Sequence, residues 1–322
     1  RNQEVLERIQ SFFRSRGREM LESNNQQADL PETCTVLLND MGTASGMWFE
    51  RDNTIFVSMP GVPYEMKHLM KDRVIPKILE KFELPAIFHK TIMTEGIGES
   101  FLVEIIKEWE DSLTEEAIKV AYLPSPGIVR IRLTAEGDEL STLEEKVLRK
   151  AKELKELIPE VIYGEDDILM EEAIGNFLKE KGKTIATAES CTGGYIAHLL
   201  TSIAGSSAYF KGSIVSYAND VKRDSLGVSE EDLKNHGAVS QQVVEQMAKG
   251  VRERMKTDYA LATSGVAGPD GGSEEKPVGT VWIAFAAKDN VFSKKFLFEK
   301  NRERNIRRSA LAAMSMLRRQ TG

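Results

Sequence analysis

Cysteine is scarce in this sequence, since only Cys34 and Cys191 occur in 322 residues. The two lie far apart, and the first ten residues show an amphipathic helix pattern where a secretory signal would have an apolar segment. A disulfide framework is therefore not expected, because such frameworks are typical of small secreted domains. We predict a cytoplasmic protein.

The sequence also lacks an apolar run long enough to cross a bilayer, and it has no excess of positive charge. Hydrophobic residues make up 41% and charged residues 29%, and the net charge is −7. We therefore expect neither a membrane nor a nucleic acid as a partner. No cluster of His, Cys and Asp has metal-ligand spacing, so we expect no metal ion and no cofactor.

The length allows two or three domains, and the first is predicted to span residues 1–85. Residues 3–16 have the apolar spacing of a helix that no capping residue clearly opens, so we expect a chain that is truncated at its start. A loop at 39–46 then precedes a buried strand at 54–59 and a helix that follows Pro60. This order is typical of an α/β unit.

The second predicted domain spans residues 86–165. Alternating strands are predicted at 90–94 and 128–133, and amphipathic helices at 99–109 and 140–157. This order predicts a small α+β module. RNA binding is not expected, because the sequence has no GXXG loop with basic neighbours.

The third predicted domain, residues 166–322, alternates helices with strands. Helices are predicted at 169–181, 195–203, near 222–226, at 240–255 with Ser240 as N-cap, and from about Ile306. Strands are predicted at 183–188, 213–217, 259–263, 280–286 and 291–298. We therefore predict an α/β sandwich around one mixed sheet.

The central stretch of this domain is TIATAESCTGG, residues 184–194, where a strand passes through a turn into a helix. The turn carries the hydroxyl of Ser190 and the thiol of Cys191. The backbone N–H groups of Thr192, Gly193 and Gly194 are candidate donors to an oxyanion, because a helix N-terminus favours negative charge. The alternative is that Ser190 or Thr192 only caps the helix.

Three further loops carry chemically useful residues, and loops at strand ends in α/β sheets tend to form ligand sites. Residues 216–222 contain Tyr217 and Lys222. The glycine-rich loop at 263–277, with Ser264, Gly265 and Gly268, is longer than a hairpin needs and suits a binding loop or lid. Residues 301–308 are basic and open the last helix, although arginines at such positions are often only solvated.

Together with HGAVS at 236–240, these stretches resemble the C-terminal domain of CinA-type proteins, a domain also found alone as a nicotinamide mononucleotide deamidase. The pairing of GTASG with MPGVPYEM resembles the second half of the molybdopterin-binding-like domain at the N-terminus of that family. Residues 86–165 are similar to its KH-like linker. The resemblance covers essentially the whole chain.

The resemblance implies a role for each of several residues. Ser190 is the expected nucleophile, Lys222 its base, and Tyr217 lies beside the substrate. Either Arg302 or Arg304 is expected to bind the phosphate, and the resemblance further implies a homodimer. Hydrolysis of a carboxamide needs a nucleophile, a base, oxyanion donors and a proton for the departing ammonia, which these residues and the turn amides can supply.

Three alternatives remain open. Cys191 is another candidate nucleophile, although an activated thiol usually has a histidine partner and neither His198 nor His236 lies on the four loops. A second alternative is a non-catalytic nucleotide-binding or competence-related adaptor, which would not need a lysine paired with a serine. A third is ADP-ribose hydrolysis by the N-terminal domain, where this sequence lacks the aspartate-bearing loop that the family uses.

Overall fold

The computed structural model describes residues 1–321. The chain forms two compact units, residues 1–85 and the residues from Ala86 onward. No helix among the described residues is both long and apolar enough to span a membrane.

The first unit contains a three-stranded antiparallel sheet in the order β1-β2-β3. Its helices are α1 (Gln3–Ser15), α2 (Glu22–Asn25), α3 (Pro63–Leu69) and α4 (Ile75–Lys81), with a 3-10 turn at Gln26–Ala28 and a π-helical turn at Met70–Val74. The strands are β1 (Thr35–Leu37), β2 (Gly46–Arg51) and β3 (Thr54–Ser58). Two small apolar clusters, around Trp48 and around Ile9, form its core.

Two expectations for this unit were wrong. Helix α1 does have a cap, because the Asn2 side chain accepts a hydrogen bond from the Val5 amide at 3.1 Å. Strand β3 is not buried: no residue from Thr54 to Ser58 is fully covered, and Phe56 is exposed, because β3 is an edge strand.

The second unit begins with a four-stranded antiparallel sheet in the order β5-β6-β4-β7. Its strands are β4 (Ala86–Glu95), β5 (Ile118–Ser125), β6 (Ile128–Gly137) and β7 (Ile162–Glu165), and its helices are α5 (Glu99–Ile105), α6 (Lys107–Glu115) and α7 (Leu140–Leu157). The predicted helix at 99–109 is two helices, because Ile106 leaves helical geometry with φ −99° and ψ 9°. Strands β5 and β7 were not predicted.

The rest of this unit is built on a five-stranded mixed sheet in the order β12-β11-β10-β8-β9. Strand β8 (Ile185–Glu189) runs parallel to both neighbours, β9 (Phe210–Val215) and β10 (Tyr259–Gly265), whereas β11 (Thr280–Ala286) and β12 (Val291–Leu297) are antiparallel. The helices are α8 (Met170–Glu180), α9 (Tyr195–Ser202), α10 (Asn219–Leu226), α11 (Glu230–His236), α12 (Gln241–Met255) and α13 (Arg302–Thr321).

Apolar clusters cover both faces of this sheet. Side chains of α8, α9 and α13 pack on one face and side chains of α12 on the other. All five residues of β8 are buried, which places the end of this central strand deep in the molecule. The predicted fold class, an α/β sandwich around a mixed sheet, is confirmed.

One helix start and one cap contact differ from prediction. Helix α13 begins at Arg302 and not near Ile306, because the Asn301 side chain accepts from the Arg304 amide at 3.0 Å and starts the helix earlier. Ser240 stands at the N-cap position of α12, but its hydroxyl donates to the Gly237 carbonyl at 2.8 Å and accepts from no amide of that helix.

The two parts of the second unit share one apolar core. Met93 and Tyr163, from the four-stranded sheet, belong to the same cluster as Met314 and Leu317 of α13. Next to this core the buried Glu95 carboxylate accepts hydrogen bonds at the end of the same helix, from Ser315, Arg318 and Arg319. The last helix therefore packs against both sheets.

Candidate active site

The turn between β8 and α9 places Ser190 at the carboxyl end of the central strand. The Ser190 amide donates to the Thr263 carbonyl at 3.0 Å, which ties the start of the turn to the neighbouring strand β10. Gly193 and Gly194 have φ values of +62° and +96°, a conformation that favours glycine. These two glycines make the abrupt change from strand to helix possible.

Lys222 lies in the first half of α10 and reaches Ser190 across the site. Its Nζ is 3.1 Å from Ser190 Oγ, 2.7 Å from the Ser216 carbonyl oxygen and 3.3 Å from the Tyr217 carbonyl oxygen. Only 1% of the residue is exposed, and burial lowers the pKa of this amine. Within residues 1–321 no carboxylate hydrogen-bonds to Nζ, and burial is the largest influence on its pKa.

The three oxygen partners of Nζ fit an ammonium that donates to all of them, and they also fit a neutral amine. A neutral amine has two N–H donors and one lone pair, whereas an ammonium has three donors and cannot accept. The Ser216 and Tyr217 carbonyl oxygens can only accept, so they take the two donors. In the neutral form, which burial favours, the lone pair remains for the Ser190 hydroxyl proton, and this is the arrangement of a base beside its nucleophile.

Tyr217 is 62% exposed, and its side chain contacts Arg302, not Lys222. The hydroxyl lies 2.9 Å from Arg302 Nη2, while Arg302 Nη1 donates to the Gly268 carbonyl at 2.7 Å. Arg302 therefore connects the loop at 216–222 with the glycine-rich loop. Arg304, the other predicted phosphate ligand, pairs with Glu299 at 3.3 Å, and in the described part of the chain its side chain has no hydrogen bond to either loop.

The predicted residues of the glycine-rich loop shape it in different ways. The Ser264 hydroxyl is buried and donates to the Ala238 carbonyl at 2.6 Å. A Cβ on Gly265 would lie 2.7 Å from the Thr280 carbonyl oxygen, so this position has no space for a side chain. Gly268 has a φ of +88°. These three residues therefore fix the course of the loop.

The predicted oxyanion donors at Gly193 and Gly194 need correction. The Gly193 amide donates to the Ser190 carbonyl at 3.1 Å, and the Gly194 amide donates to the Glu189 carboxylate at 3.1 Å. Both are therefore occupied. The amides of Cys191 and Thr192, which follow Ser190 directly, donate to no backbone oxygen in the described part of the chain, 1–321. They are the donors that remain for an oxyanion.

Two residues that help to build the site were missed from the sequence. Glu189 is completely buried beneath the turn and accepts from the Ile196 and Ala197 amides at 3.0 and 2.8 Å. An acidic residue at the end of an apolar strand, just before a helix N-terminus, is a signal that could have identified it. Asn305 is also buried and donates to the Ala267 carbonyl at 3.0 Å, which anchors the glycine-rich loop on α13.

The thiol of Cys191 is unsuited to attack. The residue is 6% exposed, and burial raises the pKa of its thiol to about 12. A thiolate is the reactive form of cysteine, so this residue stays unreactive near neutral pH. The geometry favours Ser190 over Cys191 as the nucleophile.

Comparison with known proteins shows the family. Residues 167–321 match the model of the CinA C-terminal domain, and residues 89–164 match the model of the damage-inducible protein CinA KH domain. A CinA-like protein from Cytophaga hutchinsonii is 46% identical over 319 residues, which cover 99% of this chain and 76% of that protein. The chain belongs to the CinA family. The family resemblance predicted from the sequence is thus confirmed.

Two other known proteins are similar to this chain. A CinA-like protein from Flavobacterium psychrophilum is 48% identical over 314 residues, or 97% of this chain and 74% of that protein. The crystal structure of the competence/damage inducible protein CihA from Agrobacterium tumefaciens is 43% identical, with a TM-score of 0.45. The match covers 46% of this chain and 91% of the CihA chain.

Proposed function

We propose that this CinA-family chain hydrolyses the carboxamide of nicotinamide mononucleotide to give nicotinic acid mononucleotide and ammonia, a step of pyridine nucleotide salvage. The observation that carries the proposal is the buried pair of Ser190 Oγ and Lys222 Nζ, 3.1 Å apart, with the other two partners of Nζ being carbonyl oxygens. A site that only held phosphate would have no use for this pair. A cytoplasmic homodimer remains part of the proposal.

The reaction proceeds in two halves. Lys222 takes the Ser190 proton while Oγ attacks the carboxamide carbon, and the amides of Cys191 and Thr192 hold the resulting oxyanion. The intermediate collapses as Lys222 returns the proton to the nitrogen, which leaves as ammonia. Lys222 then activates a water molecule, which attacks the Ser190 ester, releases the carboxylic acid and restores the serine.

The substrate's phosphate is best placed at Arg302. The N-terminus of α9, the usual phosphate site of a strand, glycine turn and helix, already holds the Glu189 carboxylate. A phosphate at this helix end would be repelled by the Glu189 carboxylate. Arg302 is exposed and lies at the junction of two loops of the site, and a guanidinium is well suited to bind a phosphate with two hydrogen bonds.

The test of the reaction is ammonia release from nicotinamide mononucleotide by the purified chain, with the riboside and free nicotinamide as comparison substrates. We expect ammonia and nicotinic acid mononucleotide in equal amounts. Tight binding of the mononucleotide with no turnover would instead support the adaptor alternative and contradict the proposal.

Replacement of Arg302 by Ala should weaken binding of the mononucleotide by about 1.5–3 kcal/mol, the usual contribution of a hydrogen bond to a charged group. This corresponds to a KM raised by roughly 10- to 150-fold. The riboside lacks the phosphate, so its KM should hardly change. Steady-state kinetics on both substrates measure the effect.

Arg304→Ala is the matched control, because Arg304 lies one half-turn away on the same helix and, among residues 1–321, forms an ion pair only with Glu299. We expect wild-type constants for both substrates. An equal loss on mononucleotide and riboside in Arg302→Ala would mean that Arg302 only supports the loops through Gly268 and Tyr217.

A further inference from the structure

The turn that carries Ser190 is held by buried hydrogen bonds, and these converge on the Glu189 carboxylate. Its Oε2 accepts from the Gly194 amide at 3.1 Å and the Ile196 amide at 3.0 Å, and its Oε1 accepts from the Ala197 amide at 2.8 Å. Glu189 has no exposed surface. The carboxylate therefore replaces solvent or an external anion at the first turn of α9.

Two threonine hydroxyls extend this arrangement in a defined direction. Thr192 Oγ1 lies 2.7 Å from Glu189 Oε2 and 2.7 Å from Thr263 Oγ1. A carboxylate can only accept, so the Thr192 hydroxyl donates to Glu189 and must accept from Thr263. The donations thus run from Thr263 through Thr192 to Glu189, and all three residues are buried.

This chain of hydrogen bonds encloses the reactive segment. Thr263 also fixes Ser190, because its carbonyl accepts from the Ser190 amide at 3.0 Å. Residues 190–192 are therefore held at one end by β10 and at the other by Glu189. The same three residues supply the proposed nucleophile and both amides that are left for the oxyanion.

We propose that Glu189 is a positioning residue, which acts through Thr192 to hold Ser190 and the amides of Cys191 and Thr192 in reactive geometry. This inference rests on the proposed deamidation. Reactive geometry matters because a displacement of about 1 Å in a reacting group can cost about a hundredfold in rate. Loss of the Thr192 link should therefore lower kcat and leave substrate binding almost intact.

Two threonines that both donate to Glu189 provide the test of the positioning role. Thr192 and Thr187 are both buried and both donate to Glu189, Thr192 at 2.7 Å and Thr187 at 3.2 Å, but Thr187 lies within β8 and not in the turn. We expect Thr192→Val to lower kcat by at least about tenfold, the loss that follows from one hydrogen bond to a charged group, with KM changed less than about threefold. Thr187→Val should keep nearly all of the activity.

Additional variants separate positioning from folding. Thr192→Ser restores the hydroxyl and should recover most of kcat, and thermal unfolding of both valine variants should show similar losses. Glu189→Gln combined with Thr192→Val should cost less than the product of the two single effects, because the two residues share one hydrogen bond. Equal kcat losses in Thr192→Val and Thr187→Val, or fully multiplicative effects in the double variant, would overturn the inference.

A second readout keeps this inference separate from the proposed function. A fluorophosphonate probe reacts with an activated serine whatever the natural substrate, and mass spectrometry measures the labelled Ser190. Labelling should slow in Thr192→Val and not in Thr187→Val. If the wild-type chain is labelled at Ser190 but releases no ammonia from nicotinamide mononucleotide, the substrate proposal fails while the positioning role is still tested. Equal labelling rates in all three proteins would contradict the positioning role.

Discussion

Replacing Ser190 by Ala should remove ammonia release from nicotinamide mononucleotide, with kcat lowered by at least about a thousandfold, as expected when a nucleophile is lost. Without Oγ no acyl intermediate can form, and Lys222 Nζ loses the hydroxyl 3.1 Å away that it is proposed to deprotonate. Steady-state ammonia release measures the effect. Binding of the mononucleotide should persist, because Arg302 is unchanged.

Cys191→Ala is the control for this prediction. Cys191 is the next residue in the same turn and is buried to a similar degree, 6% exposed against 9% for Ser190. Its thiol, with a pKa raised to about 12, should take no part in the reaction, so most of the activity should remain. If the cysteine variant were inactive and the serine variant active, the nucleophile would be Cys191.

The sequence was sufficient to identify the four loops, because each carries polar or glycine residues at a predicted strand end. The fold then brings all four together: Lys222 contacts Ser190 although 32 residues separate them, and Arg302 joins Gly268 to Tyr217. What the pattern could not predict is which arginine of the last helix faces the site. The choice between Arg302 and Arg304 depends on where α13 begins, and Asn301 as its cap was overlooked.

The correction at Gly193 and Gly194 has a different cause. A glycine turn at a helix N-terminus predicts free amides only if no side chain of the protein accepts them. Here Glu189 comes from the preceding strand and points back under the helix, which a reading of the turn alone does not reveal. The amides that remain are one and two positions after Ser190.

The fold was predicted best where apolar periodicity is long and regular. Helix α7 has the predicted bounds, and strand β11 does as well. Strand β5 was missed although its residues alternate and a turn separates it from its partner β6. Strand β3 was predicted to be buried because its residues are apolar, yet position at a sheet edge decides exposure.

The activity of this chain should also depend on pH through Lys222. The base works only when neutral, and the neutral fraction grows as pH rises. An unperturbed lysine with a pKa of about 10.4 would be almost fully protonated at pH 7. Burial lowers the pKa of Lys222 from that range, so kcat/KM should rise with pH and level off at a value below 10.5. Below that value, kcat/KM should fall about tenfold per pH unit.

Substitution separates the role of the base from that of the charge. Lys222→Arg keeps a positive charge but cannot take a proton, so it should be nearly as damaging as Lys222→Ala, with kcat lowered by about a hundredfold or more. Neither variant should retain the rise of kcat/KM with pH. The matched control is Lys183→Arg, because Lys183 precedes β8 at the opposite end of the strand and pairs with Asp258 at 3.0 Å. That variant should keep wild-type rates and the wild-type pH profile.

One outcome would show that Lys222 is not the base. If Lys222→Arg retained most of kcat, the lysine would supply only positive charge to the oxyanion. Tyr217 would then be the next candidate, although its hydroxyl contacts Arg302 and its exposed ring lies outside the buried pair. A pH profile of Lys222→Arg that still rose with the wild-type midpoint would point to the same conclusion. The burial of Nζ argues for the opposite result, because it favours the neutral amine, whose lone pair can then face the Ser190 hydroxyl.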